Sequence, residues 1–247
     1  MKYILKVDPR VTLIEPEKTC SFPVFVRFSG EFSEENCMKF RQELIQAENA
    51  AVESQQKVLP IVIDSYGGDV YALMACIDAI NAVTPEITIA TIVEGKAMSC
   101  GAILLSCGKE GYRFAGPNST VMIHEVSSFS HGKIEEIKAN AKESDRLNVK
   151  VLELMADNCN RPKDYFVNEI TKRKHADWFL DANDCLTHNI TNYIGTPKFN
   201  VSVDVSLEFD TSSLISKITS KSDPVSVRNE NKQKLPVNKA KPKNKRK

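Results

Sequence analysis

The chain has no Cys-x-x-Cys pair and no cysteine cluster with metal-ligand spacing, although it contains seven cysteines. An odd count in apolar company (Cys76 after Met74-Ala75, Cys107 after Leu104-Leu105-Ser106) points away from a disulfide framework. Reduced, core-packed thiols in a cytosolic-type compartment are the expectation, with no metal site. No stretch approaches the roughly 18 apolar residues of a membrane span, so no membrane partner is expected. The opening residues Met-Lys-Tyr-Ile-Leu-Lys-Val-Asp lack the long apolar core and small-residue cleavage site of a secretory leader. The expected location is therefore cytoplasmic. A glycine-rich phosphate loop ending in Lys-Ser or Lys-Thr is also missing, so the chain itself is not expected to hydrolyse ATP, and no cofactor is expected.

The C-terminal tail combines a lack of acidic residues with a run of basic ones. Asn231 to Lys247 carries seven lysines, one arginine and no carboxylate, a charge of +8 inside a chain whose formal net charge is +1. The remaining residues sum to −7, so the body carries no global charge signature of a nucleic-acid binder. The tail alone would suit an acidic partner. Beyond Ser212 the chain also loses its aromatics and becomes rich in Ser, Lys, Asn and Pro. Disorder is expected from residue 221 onward.

What is present reads as strands alternating with helices. Pro23–Ser29, Val58–Ile63, Ile87–Val93, Tyr112–Phe114 and Thr120–Ile123 are short, largely apolar runs. Ser33 is a good N-cap for a helix to about Gln55, and Asp69 caps one in which Val70, Leu73, Met74, Ile77 and Ile80 share a face. Lys133–Asn158 reads as one long, highly charged helix whose narrow stripe is Ile134, Ile137, Ala141, Val151, Leu154 and Met155. So polar a helix cannot lie flat on a core along its whole length; part of it should project or meet another subunit. Pro162 suits the first turn of a helix to about Lys172, and Asp181 caps a short one ending near Asn189. This alternation predicts an α/β fold with a largely parallel sheet.

Three pieces carry chemistry. Gly67-Gly68 follows a buried strand, where the missing side chains allow a backbone N–H to approach a ligand, or simply make a turn. Ser99 lies between a strand-like and a helix-like run; it is either an N-cap or a nucleophile with the Cys100 N–H beside it. His124 ends an apolar strand, as a packed core residue or as the base that a serine nucleophile needs.

Read together, these pieces resemble the Clp protease proteolytic subunits, self-compartmentalised serine peptidases. Ile63-Asp64-Ser65-Tyr66-Gly67-Gly68-Asp69-Val70 matches the family's Asn-Ser-Pro-Gly-Gly turn. Gly95-Lys96-Ala97-Met98-Ser99-Cys100-Gly101-Ala102 matches its nucleophile turn, and Arg113 to His124 its histidine segment. Glu153-Leu154-Met155-Ala156 and Asp177-Trp178-Phe179-Leu180-Asp181-Ala182 supply the remaining blocks. The resemblance implies a crotonase-like α/β spiral of βαβ units with a projecting handle helix. It implies Ser99 as nucleophile, His124 as general base, Asp177 as the orienting carboxylate, and the backbone N–H groups of Gly68 and Cys100 as the oxyanion hole. The implied partners are polypeptide substrates, further copies in a ring or stacked rings, and an ATP-dependent unfoldase. The domain would span 22–200, between a divergent N-terminal segment (1–21), an extension (201–220) and the basic tail (221–247).

The family's pore-lining N-terminal segment is not recognisable in residues 1–22, which weakens the expectation of a standard unfoldase partner. The basic tail is also outside the pattern, and within the matching region the sequence departs in four further places. Tyr66 stands for the turn proline and would bring a bulky ring near the site. Glu125-Val126 stands for Gln-Pro and puts a second carboxylate beside the base. Ser127 to Gly132 has fewer glycines than the family's segment. Lys172-Arg173-Lys174-His175-Ala176 holds a small insertion, so Asp181, read as an N-cap, is the fallback for Asp177. The other readings are a catalytically silent ring subunit, a specialised maturation protease of scaffold or capsid precursors, a Ser-Lys peptidase using Lys96, and an acyl-CoA hydratase or isomerase on the same fold.

Overall fold

The computed structural model describes residues 23–198. The segments 1–21, 201–220 and 221–247 set apart by the sequence lie outside the described residues.

Strand β1 (Val26–Phe32) leads into helix α1 (Glu34–Glu53), whose N-cap Ser33 accepts a hydrogen bond from the Asn36 N–H at 3.2 Å. The buried residues of α1 are Cys37, Phe40, Leu44, Ala47 and Ala51, the three- and four-residue steps of one helix face. Strand β2 (Val58–Gly68) and helix α2 (Val70–Asn81) follow, with Asp69 capping through the Ala72 N–H at 2.8 Å. Next come β3 (Thr88–Met98), the short helix α3 (Cys100–Ser106), β4 (Arg113–Ala115) and β5 (Thr120–Ile123). Helices α4 (Ile134–Asn158) and α5 (Tyr165–Lys172), strand β6 (Trp178–Leu180), helix α6 (Ala182–Thr187) and strand β7 (Tyr193–Ile194) complete the unit.

The architecture is mixed α/β around a sheet dominated by parallel pairing, in the order β1-β2-β3-β4-β7. Strand β3 serves two neighbours in turn. Its residues 91–93 pair with β4, and its residues 96–98 pair with β5, which alone pairs antiparallel, with β6. The fork arises at a bulge where β2 and β3 lose register between Ile63 and Ser65. Gly95 supplies the positive φ (+75°) that this kink requires. Both long strands thus continue beyond the apolar runs that mark them in the sequence, and their extensions carry Gly67, Gly68 and Met98 to one edge.

Helix α4 divides as its composition requires. From Ile134 to Lys142 it is exposed throughout, while Leu147, Val151, Leu152, Met155 and Ala156 are buried against the core. Helix α5 starts at Tyr165, after an Asp164 N-cap, rather than at Pro162; the Pro162 carbonyl instead accepts the Tyr165 N–H in the preceding turn. Strands β6 and β7 are too short to show in the sequence.

One polar group ties the far end of the core together. Arg113 is fully buried and donates to the carbonyls of Gly108 (3.2 Å), Asn158 (2.8 Å) and Asn189 (3.0 Å). Asn158 closes α4, so the cation faces a helix C-terminus, where the backbone dipole favours positive charge. Truncation to methionine would strand three carbonyls, at an expected cost of at least about 3 kcal/mol. Arg113→Met should lower the unfolding midpoint strongly in chemical denaturation; a midpoint within error of the unaltered protein would contradict this reading.

Candidate active site

The site forms where the ends of β2, β3 and β5 converge. Ser99 follows β3 and precedes α3, with φ +54° and ψ −119°. A non-glycine residue in that region carries strain of about 1–3 kcal/mol, and it persists only when its surroundings enforce it. Two neighbours do so here. The Ser99 N–H donates to the Met122 carbonyl at 2.8 Å, and Gly67 leaves room where a Cβ would lie 2.6 Å from the Ser99 Cβ. Gly67 itself has φ +106°, so glycine is required there for conformation as well as space. The Ser99 side chain does not cap α3. Its hydroxyl faces His124 instead.

Gly68, at φ +144°, presses on β1, and a Cβ there would meet the Phe32 N and O, each at 2.6 Å. The following peptide is held on both sides. The Asp69 N–H donates to the Phe32 carbonyl at 2.8 Å, and the Gly68 carbonyl accepts the Cys100 thiol at 3.2 Å. Burial pushes the Cys100 thiol up to about 12, so it stays protonated and remains a donor. Cys100 is also the first residue of α3, where backbone N–H groups have no partner within the helix.

His124 follows β5 directly. Its Nε2 lies 2.8 Å from the Ser99 Oγ, and its Nδ1 lies 3.4 Å from the Asp177 Oδ1. The second distance is longer than a tight hydrogen bond, and such contacts often shorten only when substrate binds. The β5–β6 ladder explains the encounter. Ile123 pairs with Trp178 in antiparallel register, so the next pair outward brings His124 opposite Asp177. Asp181, by contrast, accepts the N–H groups of Asn183 and Asp184, both at 2.8 Å, as the N-cap of α6.

Beside Ser99 and His124 opens a cleft of about 50 Å³ that Gly68 and Cys100 also line. Its walls are Val70, Leu73, Ile103, Ile123, Val126 and Val151, with Glu125 and Ser127 among the remaining lining residues. A recess with apolar walls next to a partly buried hydroxyl and a half-buried imidazole suits one uncharged side chain of a bound chain.

Lys96 does not join this group. Its Nζ contacts the Asp64 Oδ1 at 2.6 Å and stands 4.2 Å above the Tyr66 ring, and the hydrogen bond to Asp64 raises its pKa. A lysine held charged in this way is unsuited to act as a base at Ser99. Tyr66 is exposed and covers Lys96, so its ring is not part of the cleft wall. Glu125 does not approach His124 through its carboxylate; its Oε2 meets the Nδ1 of His175 at 2.9 Å. Sequence reasoning had no place for His175 beyond the basic insertion that contains it. No group of three or more potential metal ligands occurs among the described residues.

Because Gly67 leaves so little space, Gly67→Ala should cost on the order of 2 kcal/mol of stability and move Ser99 away from His124. Denaturation and a crystal structure of the variant would check this; an undisturbed Ser99 Oγ to His124 Nε2 contact would refute it.

The family model described as Clp protease matches residues 25–198, well over half of the chain. The chain belongs to the Clp protease family, a family of peptidases.

Proposed function

We propose that this Clp protease family member is a serine endopeptidase in which Ser99, His124 and Asp177 act as one unit. The observation that carries the reading is the 2.8 Å contact between the Ser99 Oγ and the His124 Nε2, made by a serine held in a strained turn and not used as a helix cap. The Ser99 oxygen attacks the scissile carbonyl carbon while its proton passes to Nε2. Asp177, beside Nδ1, selects the tautomer that leaves Nε2 free to accept and stabilises the imidazolium that forms. The carbonyl oxygen takes up negative charge facing the N–H groups of Gly68 and Cys100. When the C–N bond breaks, His124 returns the proton to the departing amine, leaving the acyl group on Ser99. Water then repeats the sequence, giving up a proton to His124 and releasing the carboxylic acid.

The exposed half of α4 supports a second element of the proposal. Ile134 and Ile137 lie exposed on a stretch, Ile134 to Lys142, that buries no side chain against the described residues. We assign this projecting arm to contacts between stacked rings, which would enclose the sites in a chamber. Folded substrates would then need an ATP-dependent unfoldase to deliver them, in the cytoplasm. None of the described helices is long and apolar enough to cross a membrane.

Ser99→Ala and His124→Ala should each reduce kcat for a short peptide by at least about 10³-fold, with oligomer and fold intact. Asp177→Asn should lose up to about 10⁴-fold through the wrong tautomer, whereas Asp181→Asn should affect mainly stability. Near-normal turnover in Ser99→Ala would end the proposal, and a crippled Asp181→Asn with a healthy Asp177→Asn would reassign the acid. For assembly, replacing Ile137 and Ala141 together with glutamate should split the particle in light scattering without unfolding the subunit. An unchanged particle mass would rule out the arm as the contact.

A further inference from the structure

Asp177 is held loosely for a residue with so exacting a task. Its side chain is 53% exposed and meets His124 alone among the ion pairs and hydrogen bonds of the described residues. Its position depends on the turn that delivers it to β6, and that turn is strained. Lys174 and His175 both have positive φ, +56° and +61°, adjacent and neither a glycine. Left-handed conformation costs such residues on the order of 1–2 kcal/mol each. Contacts outside the turn must therefore hold it.

Two such contacts exist. At one end the Arg173 guanidinium sits 4.0 Å above the Trp178 ring and binds Glu169, whose carboxylate it shares with Lys172. At the other end the His175 ring reaches across to Glu125, with Nδ1 and Oε2 2.9 Å apart. Glu125 directly follows His124, and His175 lies two residues before Asp177. The contact therefore ties together the two chain segments that present base and acid, one step beyond the pair that the β5–β6 register brings face to face. The remaining hydrogen bonds of the turn, among the described residues, are backbone bonds within its own segment, from the Arg173 and His175 N–H groups to Ile170, from the Lys174 N–H to Thr171 and from the Ala176 N–H to Arg173.

We infer that Glu125 and His175 form a clasp that positions Asp177 against His124, making both residues positioning residues for the reaction. The inference rests on the peptidase reading above. Neither side chain touches the reacting atoms. Their effect passes through the Asp177 carboxylate, by keeping the turn from relaxing outward into solvent. A displacement of about 1 Å at such a group can cost as much as about 10²-fold in rate.

The test is a set of variants, Glu125→Gln, His175→Ala and both together, each made in the unaltered, Asp177→Asn and Ser99→Ala backgrounds. In the unaltered background each should lower kcat for a short peptide by about tenfold, with little change in KM for His175→Ala, whose ring does not line the cleft. The double variant should lose no more than either single one, because a clasp opens when either half is removed. In the Asp177→Asn background the same changes should have no further effect on kcat. The Nδ1 proton resonance of His124, read by NMR in the Ser99→Ala background, should weaken or vanish in His175→Ala, a readout independent of turnover. Full additivity with Asp177→Asn, or an unaltered kcat together with an unaltered His124 resonance, would overturn the clasp. If Asp177→Asn itself leaves kcat unchanged, the triad reading fails, and the resonance still decides whether the clasp holds the turn.

Discussion

Gly67 and Ser99 touch at a distance that leaves no room for a methyl group, and the rest of the site is arranged around that contact. Strand β2 must extend past its apolar part to bring Gly67 there, and β3 must extend past its own to bring Ser99. The bulge that separates the two halves of this β-pair lets them diverge from the lower sheet and gives β3 a second neighbour, β5. That neighbour supplies both the Met122 carbonyl that holds the Ser99 N–H and the His124 imidazole that faces its hydroxyl. Strain at Ser99 is thus maintained by a sheet already committed to its register. The serine cannot relax without breaking pairs in β5.

The acid arrives by a less secure route. Serine and imidazole ride on strands with buried faces, but Asp177 comes from a turn leading to a three-residue strand. The antiparallel β5–β6 pair fixes which residue stands opposite His124, and leaves the distance to the turn before it. The difference shows in the contacts: 2.8 Å on the serine side and 3.4 Å on the carboxylate side, where solvent reaches the pair. A site closed by substrate, with the cleft filled and water displaced, would strengthen that weaker contact most.

Much of the fold was legible because burial leaves a period in the sequence. The core of β2 is a run of Val, Leu and Ile around Pro60, that of β3 sets Ile and Val among Thr and Ala, and the starts of α1, α2 and α6 carry side-chain caps at Ser33, Asp69 and Asp181. The extensions Asp64–Gly68 and Glu94–Met98 were not legible as strand. Their glycines and charges have no preference for it, and pairing with β1 and β5 imposes it. Strands β6 and β7 are made mostly of residues that favour strand but are too short, at three and two residues, to stand out. Of the site, Ser99 and His124 stand out through the text around them, and the structure sets His124 between Ser99 and Asp177. The Glu125–His175 contact lay hidden because its partners are 50 residues apart and one of them sits within an insertion. Periodicity carries no signal for a polar contact across two loops.

The central claim is that the Ser99 hydroxyl is a nucleophile activated by His124. It can be tested by treating the purified full chain with a fluorophosphonate and mapping the adduct by peptide mass spectrometry. A single adduct on Ser99 is expected, lost in His124→Ala and lost when the protein is unfolded before treatment. No adduct on Ser99, or labelling that survives unchanged in His124→Ala, would contradict it.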